Sequence, residues 1–400
     1  MTILESKLYE EIALLDHIYE LSYSRTATTN GETKALIYLE DAIRNENLTP
    51  TIEFFDWTGP KRALMRLFYV IFIIYFILHI QTLLILVSFF AIKYLFPKLR
   101  KYSLIQKEES RNIYTNISVN NTKERRPVIF LCAHYDSFSA AAPYRLQNIL
   151  FFIFRMIIVP YFTILIFTSI LVVANVFGLY IYVEESLNSF IFITTIIEFG
   201  IIILIFLLIY DNKKSKGSID NASGVSILLE LMKILKRNPP KNYDVIILWS
   251  GAEEWGLIGA NRFLKKHREE FEEIYDLDES FAINVDMVGS YIGLINKTGI
   301  FKKRLNRNLN NIIIASALKN KIPIVSYNRL IRPGTDHISF KKFAKKTKTK
   351  LQVACFHTAK DSKYIHSSKD TPKRIYLKNL SGCLEICYET LKTIDLNKSI

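Results

Sequence analysis

The sequence predicts an α/β protein whose strand ends converge on one polar pocket. Three observations lead there. Short apolar runs of strand length alternate with longer segments of helical periodicity in the C-terminal half. Several of those runs end in polar islands: Val128–Leu131 leads into Ala133-His134-Tyr135-Asp136-Ser137, Val245–Trp249 into Ala252-Glu253-Glu254, and Phe281–Val285 into Asp286-Met287-Val288-Gly289. In an open α/β sheet, ligands collect in the crevice outside the carboxyl ends of the strands, so islands at several strand ends describe one site. Two more islands complete the set. Asp220-Asn221-Ala222-Ser223-Gly224 opens a helical pattern, and Ile365-His366-Ser367-Ser368-Lys369-Asp370-Thr371 lies near the C-terminus.

Taken in order, residues 5–22 and 32–46 read as helices, with Thr29-Asn30-Gly31 as the break. Thr51–Trp57 alternates as a strand does, and Ile113–Val119 and Val128–Leu131 follow as strands. Asn221–Lys236 reads as a helix, Val245–Trp249 as a strand, Ile258–Tyr275 as a helix and Phe281–Val285 as a strand. Leu305–Lys319 reads as a helix, Lys350–Phe356 as a strand and Lys378–Leu396 as a closing amphipathic helix. The basic run Lys341–Lys350 reads as a solvated loop, or alternatively as a contact for anionic lipid headgroups.

Half of the 400 residues are hydrophobic and only 22% are charged, with a mean hydropathy of +0.16, which points to membrane segments. Ala63–Phe96 is almost wholly apolar, and so is Ile149–Tyr210 apart from a break at Glu184–Asn188. Met156–Val183 and Ser189–Tyr210 are each long enough to cross a bilayer, which takes about 20 residues. The expected organisation is one globular domain, residues 1–60, 105–145 and 213–400, interrupted by membrane insertions at 61–104 and 146–212. For strands flanking each insertion to share a sheet, each must return to the side it left. The second fits a transmembrane hairpin; the first is short, and fits either a tight hairpin turning near His79–Thr82 or a bent re-entrant pair. Glu198, inside the last apolar stretch, reads as a protonated group facing a neighbouring helix or as part of a pathway.

Lys61, Arg62, Arg66, Lys98, Arg100, Lys101, Arg145, Lys213, Lys214 and Lys216 all flank the globular side. The positive-inside rule then predicts a multi-pass integral membrane protein with its globular domain in the cytoplasm. The net charge of +14 fits that reading, and no nucleic-acid-binding motif accompanies it, so no nucleic-acid partner is expected. Cys132, Cys355, Cys383 and Cys387 form no CxxC pair and read as reduced and buried. No signal peptide is visible in the first 60 residues, and oligomeric state leaves no mark.

The islands hold histidines and carboxylates, ligands suited to zinc and also to cobalt or manganese. Two ions about 3.5–4 Å apart can share and activate one water, given a bridging carboxylate, further ligands for each ion and a base. Asp136, two residues after His134 on an extended backbone, points the same way and can orient the imidazole.

The chain resembles the M28 metallopeptidases, the co-catalytic di-zinc aminopeptidase family, at His134-x-Asp136, Asp220-Asn221-x-x-Gly224, Glu253-Glu254, Asn284-x-Asp286-Met287-x-Gly289, Asp336-His337-x-x-Phe340 and His366-x-x-x-Asp370. The resemblance covers about residues 5–60, 105–137 and 217–400 and leaves out both apolar blocks. It implies a three-layer sandwich with a mixed, mostly parallel central sheet flanked by helices, two zinc ions and a peptide substrate. It further implies that Asp220 bridges the metals, that His134 and Asp286 complete one site, and that Glu254 and His366 complete the other. Glu253 is then the general base toward water and the acid toward the leaving amine, and Asp136 orients His134. His357 competes with His366 for the last ligand position; the family pattern running on through Asp370-Thr371 favours His366. Asp336 and His337 take no assigned role. Glutaminyl cyclases, zinc enzymes that cyclise N-terminal Gln, share the His-Tyr-Asp-Ser and Asp-His-x-x-Phe patterns and form the alternative reading. A non-catalytic scaffold on the same fold is the third, although no ligand is missing.

Overall fold

The computed structural model describes residues 3–57, 108–118, 125–140, 214–299, 301–329 and 334–398, with scattered helical positions between 144 and 200. The chain divides into two compact units. One comprises Met1–Asp56, Glu109–Ala140 and Asp211–Ile400; the other comprises Trp57–Glu108 and Ala141–Tyr210.

The first unit begins with helices α1 (Ile3–Glu20) and α2 (Asn30–Asn45) and strands β1 (Thr51–Trp57), β2 (Glu108–Ile117) and β3 (Val128–His134). A wide turn at Ser218–Ala222 leads into α3 (Ser223–Arg237), followed by β4 (Asp244–Ser250), α4 (Ile258–Lys266), α5 (Arg268–Ile274) and β5 (Phe281–Val285). The order continues with β6 (Gly293–Thr298), β7 (Lys303–Arg304), α6 (Leu309–Lys319), β8 (Val325–Arg329), α7 (His337–Thr347), β9 (Gln352–Phe356) and α8 (Leu377–Lys398).

The strands form one mixed sheet in the order β1-β2-β4-β3-β5-β9-β6-β7, with β8 beside β6. Its centre, β4-β3-β5-β9, is parallel. A parallel strand must be covered on both faces, and the side chains alternate accordingly. Ile129, Leu131 and Ala133 of β3 join one core with α1, α2, α3, α6 and α8, while Val128, Phe130 and Cys132 join another with α4, α5 and α7. These two cores make the three layers. The chain goes from β3 to neighbouring β4, then steps back across β3 to β5. The carboxyl ends of β3, β4, β5 and β9 therefore open into one crevice at the point where strand order reverses.

Four features depart from the sequence expectations. The expected helix Ile258–Tyr275 is two helices, α4 and α5, broken at His267, whose ring is drawn to Glu53 Oε1 and Glu270 Oε2, each 2.6 Å away. The basic run expected as a loop is largely helix α7: Phe340 and Phe343 are buried, and Phe340 meets Phe130 with ring centres 5.5 Å apart, while lysines face out. Leu305 precedes the helix it was expected to open, which starts at Leu309. Strands β6, β7 and β8 escaped notice because they carry Gly, Lys, Asn and Arg in place of an apolar alternation.

Of the two apolar blocks expected to enter a membrane, 63–96 lies outside the described residues, and so does 149–210 apart from isolated helical positions. At those positions Phe152, Met156, Val159, Phe167, Ile193 and Ile197 are exposed. Among the described residues no helix is long and apolar enough to cross a membrane. The flanks of both blocks come back together within the first unit. Strands β1 and β2 are sheet neighbours, and Ser139 Oγ accepts from both Lys214 N and Ser215 N at 3.1 Å.

Candidate metal centre

His134, Asp286, Glu253 and Glu254 owe their positions to a strand end or to the turn after it. His134 is the last residue of β3, level with Ser250 of β4. Asp286 follows β5, where its N–H donates to Phe356 O of β9 at 3.0 Å. Glu253 and Glu254 follow β4 in a turn held from both sides. Gly251 N donates to Asn112 Oδ1 (3.1 Å), and the Asp136 carboxylate accepts from Glu253 N (3.1 Å) and Glu254 N (3.3 Å). Asp136 thus holds this turn as well as lying against His134: its carbonyl is 3.2 Å and its carboxylate 3.5 Å from His134 Nδ1.

Asp220 sits in the wide turn before α3, with extended backbone angles and a cis peptide to Asn221. The surrounding Asp-Asn-Ala-Ser-Gly residues lock this turn to the end of β5. Asn221 Nδ2 donates to Val285 O (3.0 Å), and its Oδ1 accepts from Gly224 N (3.0 Å) and Met287 N (3.1 Å). Val288 N donates to Ser223 Oγ at 3.0 Å. Gly224 has to be glycine because a Cβ there would lie 2.3 Å from Val285 O. Asp370 grips the same turn from below, accepting from Ile219 N (2.6 Å) and Asp220 N (3.4 Å).

The carboxylate of Asp220 faces two histidines. Oδ1 is 3.0 Å from His134 Nε2, and Oδ2 is 3.5 Å from His366 Nε2. His134 Nε2 is also 3.7 Å from Asp286 Oδ1, and His366 Nε2 is 2.9 Å from Glu254 Oε2. Two triads result, His134–Asp220–Asp286 and Asp220–Glu254–His366, each with its ligand atoms within 4.8 Å of one another. Glu253 Oε2 lies 4.0 Å from His134 Nε2. His357 lies apart from these triads: Tyr327 Oη is 2.7 Å from its Nδ1 and Arg329 Nη1 is 3.4 Å from its Nε2. Burial and the Arg329 charge push the His357 pKa down to about 3, which keeps it a neutral acceptor for Arg329.

The electrostatics call for added positive charge. With Nδ1–H of His134 directed at the Asp136 carbonyl, the Nε2 lone pair faces the Asp220 carboxylate, an acceptor opposed to an acceptor. A cation relieves this, either a proton on the ring or a metal ion between the groups. Burial lowers the histidine pKa values, yet the surrounding carboxylates, Glu253 first for His134 and Glu254 first for His366, hold both well above the ordinary range. Burial pushes Glu253 well up, Glu254 to about 7 and Asp286 upward, while the two histidines hold Asp220 down against burial. Glu253 Oε1 and Glu254 Oε1 are buried with no hydrogen-bond partner among the described residues. Histidine and carboxylate donors with orphaned oxygens fit divalent ions, which take the place of those protons.

Residues without an assigned role in the sequence also belong here. Asp336 accepts from Ser250 Oγ beside the β4 end, and burial raises its pKa to about 6. Phe138 packs edge-on against both His366 (4.9 Å between ring centres) and Trp255 (4.7 Å), forming an apolar wall by the second triad. Arg25 was missed because nothing around it in sequence sets it apart from a surface arginine. Among the described residues it is the only buried Arg or Lys.

Residues 208–391 match the model of peptidase family M28. Over that segment the chain is similar to M28 peptidases. A 76-residue stretch is 36% identical to Aminopeptidase YwaD of Bacillus subtilis (strain 168), covering 19% of this chain and 16% of that protein's length. The likeness in fold to solved structures extends beyond the matched segment. A solved zinc aminopeptidase from Bacillus subtilis superposes with TM-score 0.55 at 13% identity, covering 96% of this chain and 94% of that one. An Acidobacteriales bacterium glutaminyl cyclase superposes equally well, with TM-score 0.55, 13% identity and coverage of 98% and 95%.

Proposed function

We propose that the chain is a zinc-dependent aminopeptidase that hydrolyses the N-terminal residue of peptides. The observation carrying this reading is the Asp220 carboxylate, whose two oxygens face two histidines, each completed by a further carboxylate. His134, Asp220 and Asp286 would hold one zinc ion, and Asp220, Glu254 and His366 a second; cobalt or manganese suits the same donors. When bound, zinc supplies Lewis acidity that polarises the scissile carbonyl and makes water acidic enough to attack near neutral pH. Glu253 takes the proton from the attacking water and passes it to the leaving amine as the C–N bond breaks. Burial raises its proton affinity toward what both transfers need, and its Oε1 has no competing partner. Asp136 orients the His134 ring and fixes the Glu253 turn together.

The apolar blocks support placing this domain on a membrane, with 61–104 and 146–212 as insertions and the basic flanks facing the cytoplasm. The exposed apolar side chains at Phe152, Met156, Val159, Phe167, Ile193 and Ile197 suit a lipid surround. Extraction with alkaline carbonate tests this: the protein stays with the membrane pellet if the reading is right and moves to the supernatant if it is wrong.

The catalytic test is zinc content together with turnover of a panel of aminoacyl substrates by wild type and Glu253→Gln. The variant retains metal and loses turnover by about a hundredfold or more, the usual worth of a general base. Unchanged turnover would show that Glu253 is not the base. A glutaminyl cyclase activity is the second reading, favoured by the equal structural likeness. One tightly held zinc per chain and cyclisation of an N-terminal Gln peptide would select it.

A further inference from the structure

Arg25 lies in the connector between α1 and α2, outside every motif that supplies the site, and it is fully buried. Among the described residues its guanidinium donates only to backbone carbonyls, and those carbonyls belong to three separate segments. Nε donates to Tyr135 O at 2.8 Å, between His134 and Asp136. Nη2 donates to Gly217 O at 2.9 Å and Nη1 to Lys216 O at 3.1 Å, on the approach to Asp220. Nη1 also donates to Leu21 O and Tyr23 O at the end of α1. The Arg25 main chain continues the link: its N–H donates to Ser137 Oγ (2.8 Å) and its carbonyl accepts from Ser137 N (3.3 Å).

A buried guanidinium without a carboxylate partner in contact is costly unless its surroundings are negative. Burial lowers the Arg25 pKa, and Tyr23, Asp370, Asp136 and Asp220 act against that; all three carboxylates belong to the site or its support. The fork geometry of arginine meets several carbonyls at fixed angles, which a lysine ammonium cannot do. Gly217, at φ +59, is packed so tightly that a Cβ there would lie 2.9 Å from Arg25 Nη2 and 2.6 Å from Ser137 Cβ. The segments tied together, 135–137 and 216–217, are the two sides of the long insertion, and Ser139 closes the same junction through Lys214 N and Ser215 N.

We propose that Arg25 is a positioning residue that clamps the exit from β3 to the approach to Asp220, and so sets the spacing of His134 and Asp220 across the intervening insertion. The inference rests on the metal-centre reading for its metal readout, and on backbone protection for a readout independent of it. The full-length protein is compared with Arg25→Ala, Arg25→Lys and Ser139→Ala. Three properties are measured: zinc affinity by chelator competition, the visible spectrum of the cobalt-loaded form, and amide hydrogen exchange of the metal-free form.

Arg25→Ala is expected to weaken zinc binding by about 10–100-fold, as losses around metal ligands do, and to shift the cobalt spectrum. It should speed exchange at 214–222 and 135–139 above all other segments, and millimolar guanidinium should restore affinity and spectrum. Arg25→Lys keeps the charge and loses the fork, so it should show the same changes in smaller measure. Ser139→Ala should loosen the junction from the other side, which keeps the test open if Arg25→Ala does not fold. Wild-type exchange at 214–222 in folded Arg25→Ala or, failing that, in Arg25→Lys and Ser139→Ala would overturn the proposal. If wild-type protein binds no metal, the metal-centre reading fails alone, and the exchange data still decide the clamp.

Discussion

At the scale of single residues, the centre is organised by what each carboxylate oxygen faces. Asp220 divides its two oxygens between His134 and His366, so both triads depend on one side chain. Asp220→Asn is therefore expected to abolish metal binding at both positions, whereas His366→Gln is expected to lower the metal content by one equivalent. Metal analysis after gel filtration in zinc separates the two outcomes. Equal stoichiometry in the two variants would mean that Asp220 is not shared. The ligand candidates were legible in the sequence because chemistry restricts them to a few residue types and they sit in recognisable islands. Their supports were less so. Arg25 and Phe138 act through the carbonyls and rings they meet in space, and an arginine in Tyr-Ser-Arg-Thr or a phenylalanine in Asp-Ser-Phe carries no local trace of that.

At the scale of elements, periodicity located what is buried on both sides and missed what is not. Val245–Trp249 is apolar throughout, and Phe281–Val285 apart from Asn284, because helices cover both faces of the central strands. Strands β6 and β8 lie toward the sheet margin and read as polar coil. The α4–α5 break is also invisible to periodicity, since His267 continues the helical pattern while its ring pairs with Glu53 and Glu270 and stacks on Phe271 at 5.2 Å. That pairing has a pH signature. Burial would lower the His267 pKa, but Glu53 and Glu270 outweigh it and raise it; burial would raise Glu53, but His267 and Lys266 outweigh it and lower it. A raised histidine stabilises the fold below its unfolded value, about 6.5, and the contribution disappears as pH climbs through the folded value. A lowered carboxylate stabilises above its unfolded value, about 4.3, and is lost as pH falls. The penalty of His267→Gln in melting temperature should therefore be greatest between about pH 4.5 and 6.5 and shrink by about pH 9. A penalty that is flat across this range would rule out the ion pair as its source.

At the scale of the whole molecule, the sequence poses a problem that the first unit answers. An 86-position gap holding an apolar block separates His134 from Asp220, yet their reacting atoms lie 3.0 Å apart. The flanks of the block meet at Ser139, Lys214 and Ser215. Replacing residues 142–212 with a short Gly/Ser linker is accordingly expected to leave a folded protein with wild-type metal content, read by thermal melting and metal analysis. Loss of cooperative melting would show that the block contributes to the fold of this unit. Exposure also separates the two histidines. His134 and Asp286 stand at strand ends with side chains 2% and 5% exposed, whereas His366 is 12% exposed and comes from a loop residue at φ +58. Of the two histidines, the one on the loop is thus the one that solvent reaches.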